Sequence, residues 1–124
     1  MDSSTTTMTS LVHFVYIAAP LSGPPAEYLA NVARMSRYAR ALIDEGRCPI
    51  NPAADLLEGL MSEKPLTDAQ YKERSLDLLG LLAGRHDSAM VVLAQGHRDG
   101  SESVGVTSEI LLADKLGIPV WYAG

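Results

Sequence analysis

The chain has 124 residues, of which 47% are hydrophobic and 20% charged, and its formal net charge is −5. These values are typical of one soluble globular domain with a core of its own. The acidic balance argues against long nucleic acid as a partner, although a local site can still bind a small anion. With one cysteine, Cys48, the chain has no intrachain disulfide framework and no zinc site built from cysteines.

The start of the chain, MDSSTTTMTS, has neither the basic region nor the apolar segment of a signal peptide. No later stretch approaches the ~20 apolar residues of a membrane span, which argues against a membrane partner. We therefore interpret residues 1–10 as a disordered lead-in and residues 11–124 as one domain, and we expect a cytoplasmic protein.

The first half of the chain predicts a strand, a long helix and a second strand. Residues 11–19 are an apolar strand, 20–26 a proline-rich loop and 27–45 a helix that ends at Gly46. The apolar stripe of this helix consists of Leu29, Val32, Met35, Ala39 and Leu42. The sequence CPI at 48–50 predicts a short second strand.

The second half repeats the alternation. A short helix over 53–61 and a polar break at 62–65 precede Thr67, which is expected to cap a helix through about residue 83. Its inward residues are predicted to be Leu76, Leu79, Leu81 and Leu82. A buried strand at 89–94, a polar loop at 95–103, a helix at 104–116 ended by Gly117 and a strand at 119–122 complete the chain.

This alternation predicts an α/β fold of the flavodoxin or Rossmann-like kind: a doubly wound, mainly parallel sheet of four to five strands with helices on both faces. Polar loops follow the first strand, at 20–26, and the third, at 95–103. If these strands are neighbours, their loops flank one crevice at the carboxyl edge of the sheet, where such folds bind ligands.

The segment SVGVTSE at 103–109 begins the last helix and is the strongest local signal. Gly105 allows a close approach of backbone to ligand, and Ser103 with the free N–H groups could hold a phosphate or a sugar hydroxyl. Glu109 could attack an anomeric carbon, as in retaining glycosyl transfer. The alternative is structural, because helix dipoles favour acidic residues in the first turn and serines cap helices.

Other candidates have structural alternatives of similar weight. Tyr16 could orient the carboxylate or simply pack in the sheet, and Ser22 with Gly23 could bind a hydroxyl or phosphate or make the turn. Asp77 could act in proton transfer or be a solvated helix residue. Asp87 is better explained as a helix-end and strand-start residue than as a catalyst.

The sequence offers no sign of a metal ion or an organic cofactor. The histidines at 13, 86 and 97 are far apart and lack the spacing of metal ligands. The glycines form neither a dinucleotide-binding fingerprint nor a phosphate-binding P-loop. We expect chemistry that uses side chains alone.

Three segments, YIAAPLSG at 16–23, INPAADL at 50–56 and SVGVTSEILLADKLGIPV at 103–120, resemble the nucleoside 2-deoxyribosyltransferase-like superfamily. The nearest likeness is to its small bacterial and phage members, and it spans about residues 12–122. The S-x-G-x-x-x-E pattern, its most specific part, is shared with nucleotide N-glycosidases. The resemblance implies that the protein hydrolyses or transfers the N-glycosidic bond of a nucleoside or nucleoside monophosphate.

The resemblance also implies roles for individual residues. Glu109 corresponds to the nucleophile that forms a glycosyl ester at C1′, with Tyr16 beside it. Ser103 and Gly105 correspond to the loop on the phosphate or sugar side of the substrate. Asp77, or Ser75 in another register, corresponds to the aspartate that assists the base.

The first loop is implied to bind substrate through Ala19, Pro20, Ser22 and Gly23, but it lacks the arginine with which nucleotide hydrolases of this superfamily hold a 5′-phosphate. This departure leaves open a second function, a nucleotide-binding or sensing module without turnover. A third is a glycosidase that acts on NAD, because the same type of bond occurs at nicotinamide. Members of the superfamily usually assemble as dimers or higher homo-oligomers, and we expect the same here.

Overall fold

The computed structural model describes residues 11–19, 25–54, 67–93 and 104–123. Within them, four strands alternate with three α-helices. The elements are β1 (Phe14–Ala18), α1 (Pro25–Asp44), β2 (Cys48–Ile50), a 3-10 turn (Pro52–Ala54), α2 (Asp68–Gly80), β3 (Ser88–Leu93), α3 (Val104–Leu116) and β4 (Val120–Ala123).

The strands form one parallel sheet in the order β2-β1-β3-β4. In the register of the central pair, Tyr16 lies beside Met90 and Ala18 beside Val92. The predicted α/β architecture is thus confirmed, with four strands in the described residues. Since β1 and β3 are neighbours, the condition for a shared crevice at their carboxyl ends is met.

Two apolar layers cover the sheet because strand side chains alternate between its faces. Val15 and Ile17 of β1 pack with Met35 and Leu42 of α1 on one face. The opposite face contains the buried residues of β1, α2 and α3, together with β3 and the start of β4; these are Tyr16, Ala18, Leu79, Leu82, Met90, Val92, Val106, Ala113 and Ile118. Helices therefore lie on both faces, as in a doubly wound sheet.

The ends of the helices follow from their local sequences. Thr67 caps α2 in a capping box with Gln70, in which each side chain accepts the other's backbone N–H. Gly46 and Gly117 adopt φ angles of 86° and 75° just after α1 and α3. Glycine is favoured in this left-handed region, so the two predicted helix ends are confirmed.

Some expectations for buried faces and element ends were wrong. Leu29 and Leu81 are 54% and 73% exposed. Leu81 lies two positions from the buried Leu79, and residues two apart do not share a helix face. The helix predicted to reach residue 83 ends at Gly80, and β3 begins one residue earlier than predicted, at Ser88. The last two residues of the predicted loop 20–26 belong to α1, which begins at Pro25. The rest of that loop, the predicted loop 95–103 and most of the predicted helix 53–61 lie outside the described residues.

Candidate active site

The centre of the candidate site is a buried pair formed by Tyr16 of β1 and Glu109 of α3. The Tyr16 hydroxyl donates a hydrogen bond to Oε2 of Glu109. Tyr16 is fully buried and Glu109 is 9% exposed. The structure therefore brings together the predicted nucleophile and the tyrosine that was predicted to orient it.

Glu109 occupies a position that an apolar residue would normally fill. Its neighbours on the inner face of α3, Val106 and Ala113, lie three residues before and four after it, and both are buried against the sheet. Glu109 is the sixth residue of α3 and lies beyond the first turn. Its placement is therefore not explained by the helix dipole, which acts within that turn.

The surroundings of Glu109 alter its protonation. Burial raises the pKa of the carboxyl from 4.5 to about 7, because a charge is poorly solvated in an apolar layer. The hydrogen bond from Tyr16 opposes part of this shift by stabilising the ionised form. Both protonation states are thus populated near neutral pH, which suits a carboxyl that takes part in chemistry.

The pair lies towards the carboxyl edge of the sheet. Glu109 is in the N-terminal half of α3, the half that the chain enters from the carboxyl end of β3. Tyr16 extends from β1, the strand beside β3. Open α/β sheets bind ligands at the carboxyl ends of two neighbouring parallel strands, at the point where the strand order reverses.

The other predicted site residues divide into three groups. Ala19 directly follows β1 and is buried in the layer beneath α1. Gly105 is the second residue of α3. Pro20, Ser22, Gly23 and Ser103 lie outside the described residues, so their assignment to substrate binding stays a prediction.

Asp77 does not join the Tyr16–Glu109 pair. It lies three residues before the end of α2, its side chain is exposed, and α2 leads directly to the amino end of β3. A helix that returns the chain to a parallel strand runs against the strand direction, so its last turns lie at the amino edge of the sheet. Ser75 is half-buried and lies near the middle of α2.

Asp87 has a structural role at that amino edge. Its backbone carbonyl accepts hydrogen bonds from the N–H groups of His13 and Phe14. Its carboxylate accepts two from Arg85, at 2.8 and 3.0 Å. The described ranges contain no group of three or more His, Cys, Asp or Glu side chains placed to bind a metal ion.

Sequence reasoning missed a second polar pair, on α1, in which one member is buried. Asn31 is 3% exposed, and Oδ1 of its side chain accepts a hydrogen bond of 2.8 Å from Nη1 of Arg34. The signal was available, since Asn31 precedes the buried Met35 by four residues and Leu42 by eleven, on the same stripe. A polar residue in such a register is buried with the stripe.

Comparisons of the chain with protein-family models, with curated proteins and with solved structures find no match. The resemblance to nucleoside 2-deoxyribosyltransferases is therefore carried by the residues quoted above and stays a prediction. Among the described residues, no helix is long and apolar enough to cross a membrane.

Proposed function

We propose that the protein cleaves the N-glycosidic bond of a nucleoside or nucleoside monophosphate, with Glu109 as the nucleophile. The observation that carries this proposal is the hydrogen bond from the Tyr16 hydroxyl to Glu109 in a buried layer. A carboxyl on the buried apolar face of a helix lowers the stability of the fold unless it is paired. A carboxyl at such a position is typical of a functional residue.

The proposed reaction proceeds in two displacements. An oxygen of Glu109 forms a bond to C1′ while the C1′–N bond breaks. The electron pair of the C1′–N bond leaves with the base, and the base takes a proton from solvent. Water then bonds to C1′ and gives up a proton, and Glu109 departs as a carboxylate. Where a second base replaces water, the reaction is a transfer, and we favour hydrolysis between the two.

In this mechanism the Tyr16 hydroxyl orients the attacking carboxylate. Its hydrogen bond holds Oε2, stabilises the ionised form that attacks and receives Glu109 back as a carboxylate after the second step. Burial has the opposite effect on ionisation and makes the carboxylate less solvated and therefore more reactive. The chemistry of both steps uses no metal ion or organic cofactor.

The test is a screen for base release. Nucleosides, nucleoside monophosphates and NAD are incubated with the protein, with and without a second free base, and the products are separated by chromatography. We expect wild type to release base and Glu109→Gln to be slower by about a thousandfold or more, because an amide is a poor nucleophile. Asp114→Asn, an exposed change on the same helix, is the matched control. Base release by Glu109→Gln at the wild-type rate would contradict the proposal.

One observation favours a second function, a nucleotide-binding module without turnover. Glu109 is 9% exposed, so little of its side chain is accessible for attack on a substrate. Calorimetry with the same panel separates the two functions. Binding of a nucleoside or nucleotide without base release from any compound would identify the module.

A further inference from the structure

One face of α2 extends from the buried layer around Tyr16 towards the carboxyl edge of the sheet. Leu79 is fully buried in the same layer as Tyr16, and Leu78 packs against that layer. Tyr71 and Ser75 share this face, because positions eight and four residues before Leu79 fall within one helical stripe. The face of α2 that carries Tyr71 therefore covers the layer that contains Tyr16.

Along this face, Tyr71 lies beyond Tyr16 in the direction of the carboxyl edge. Helix α2 returns the chain to the amino end of β3, so it runs against the strands and begins at the carboxyl edge. Leu79 is buried against the sheet, so it lies no further towards the amino edge than Phe14, where β1 begins. From Leu79 to Tyr71 the helix rises about 12 Å, whereas Tyr16 is about 7 Å from Phe14 along the strand. Tyr71 is therefore nearer the carboxyl edge than Tyr16 by about 5 Å or more.

The Tyr71 side chain is partly open at this end of α2. Leu79 is fully buried, whereas Ser75 and Tyr71 are half-buried, so the layer opens towards the carboxyl edge. The turn that carries Tyr71 is fixed by the capping box of Thr67, whose carbonyl accepts the Tyr71 N–H at 3.0 Å. Among the described residues the Tyr71 hydroxyl has no hydrogen-bond partner. The ring is thus held in place by its helix and offers part of its surface to a ligand.

We infer that the base of the substrate stacks on Tyr71, which makes this tyrosine a specificity-determining residue for the leaving group. This inference rests on the proposed function. In a displacement at C1′ the base departs on the side opposite the attacking carboxylate. With Glu109 inside the layer, the base of a substrate that enters at the carboxyl edge lies towards that edge, where Tyr71 is. An aromatic ring stacks on any nucleobase and makes no such contact with a leaving group that is not aromatic.

The first test compares kcat/KM for base release in wild type, Tyr71→Ala, Tyr71→Phe and Glu73→Ala. We expect Tyr71→Ala to lower kcat/KM about tenfold or more, since it loses the stacking contact. Tyr71→Phe keeps the ring and should retain most of the activity. Glu73→Ala changes an exposed residue on the outer face of the same helix and should leave kcat/KM at the wild-type value.

A Tyr71→Ala protein with the wild-type kcat/KM would overturn the inference and leave the proposed function standing. Circular dichroism shows whether each variant is folded. Should Tyr71→Ala not fold, Tyr71→Leu decides, because it keeps an apolar side chain without the ring. A wild-type kcat/KM in Tyr71→Leu would then count against stacking.

A second measurement is independent of turnover. Calorimetry gives the affinities of wild type, Tyr71→Ala and Tyr71→Phe for adenine, hypoxanthine, cytosine and thymine, and for ribose. We expect Tyr71→Ala to bind the preferred base about tenfold more weakly than wild type and Tyr71→Phe to bind it about as well. The affinity for ribose, which has no aromatic face, should be the same in all three proteins.

This comparison decides where wild type releases no base at all. Equal affinities of wild type and Tyr71→Ala for the base would overturn the inference, as would a wild type that binds none of the four bases. An equal loss of affinity for ribose in Tyr71→Ala would assign Tyr71 a structural role and overturn it as well.

Discussion

The Tyr16 hydroxyl and the Glu109 carboxyl meet across 93 residues of chain, inside the layer between the sheet and α3. Two opposing effects act on Glu109 there. Burial favours its protonated form, the hydroxyl favours its ionised form, and the resulting pKa is about 7. A change in either effect should be visible in experiments near neutral pH.

The pH dependence of activity should report this balance. A nucleophilic carboxylate must be ionised, so kcat/KM should rise with pH and level off above about pH 7, the pKa of Glu109. The measurement is a pH–rate profile for base release from one nucleotide. A profile that falls through the same range would instead assign Glu109 the role of a general acid.

The stability of the fold should change with pH in the opposite direction. Because folding raises the pKa of Glu109 from 4.5 to about 7, the folded state binds more protons between these values. The contribution of Glu109 to the free energy of unfolding has its full value below pH 4.5 and is lost as pH rises through 7. The free energy of unfolding should fall by at most about 1.4 kcal/mol per pH unit in this range. Urea unfolding at a series of pH values measures it. Glu109→Gln should flatten this dependence, and Asp114→Asn should not.

Tyr16→Phe removes the hydroxyl and keeps the ring. Since the hydroxyl lowers the pKa of Glu109, we expect the variant to titrate Glu109 at higher pH and to shift the rise in activity in the same direction. Carbon NMR of the Glu109 carboxyl measures the pKa directly. Tyr122→Phe changes a tyrosine that is 44% exposed and serves as the control. An unchanged pKa of Glu109 in Tyr16→Phe would show that the hydroxyl does not influence the ionisation of Glu109.

Ser88→Ala should stabilise the protein. Ser88 is 2% exposed, and its hydroxyl oxygen has no hydrogen-bond partner among the described residues. A buried unpaired hydroxyl carries a desolvation penalty of about 1–3 kcal/mol, which alanine does not. Chemical denaturation should therefore show a higher free energy of unfolding in the variant. A loss of stability would show that the hydroxyl has a partner in solution.

Assembly into a dimer or larger oligomer stays a prediction, and the structure changes which residues test it. Leu78, which the sequence placed off the inward stripe, packs against the buried layer of α2 and α3. Leu111 of α3 is 65% exposed. We expect Leu111→Lys to lower the mass measured by light scattering at about 50 µM, a concentration suited to a micromolar interface. Ala33→Lys, on exposed α1 surface, should not, and a monomeric wild type would contradict the prediction.

The fold was predictable because its signals are local. Alternating apolar strands and periodic helices name the architecture, and the glycines at 46 and 117 mark helix ends by the backbone angles they allow. Leu81 was misplaced because it lies two positions after Leu79, and residues two apart do not share a helix face.

The site was predictable in part. Glu109 follows from a motif and a resemblance, but its pairing with Tyr16 depends on strand order, which no local pattern contains. Asp77 was chosen by resemblance, as the aspartate on the helix before the third strand, whereas the direction of α2 places it at the amino edge of the sheet. Asn31 carries no motif, and its register with Met35 and Leu42 is the one local sign of its burial.

Strand β2 limits how the sheet can grow. The Cys48 N–H donates to the carbonyl of His13, the residue before β1. Neighbouring residues of a strand direct their backbone groups to opposite sides, so the backbone of Pro49 faces away from β1. Proline has no N–H, and the outer side of β2 therefore offers a carbonyl and no donor at its central residue. A second chain that paired there would lack one hydrogen bond of the ladder. Within the described residues the other edge of the sheet is β4, which contains no proline, so a chain that extended the sheet would pair more completely at β4.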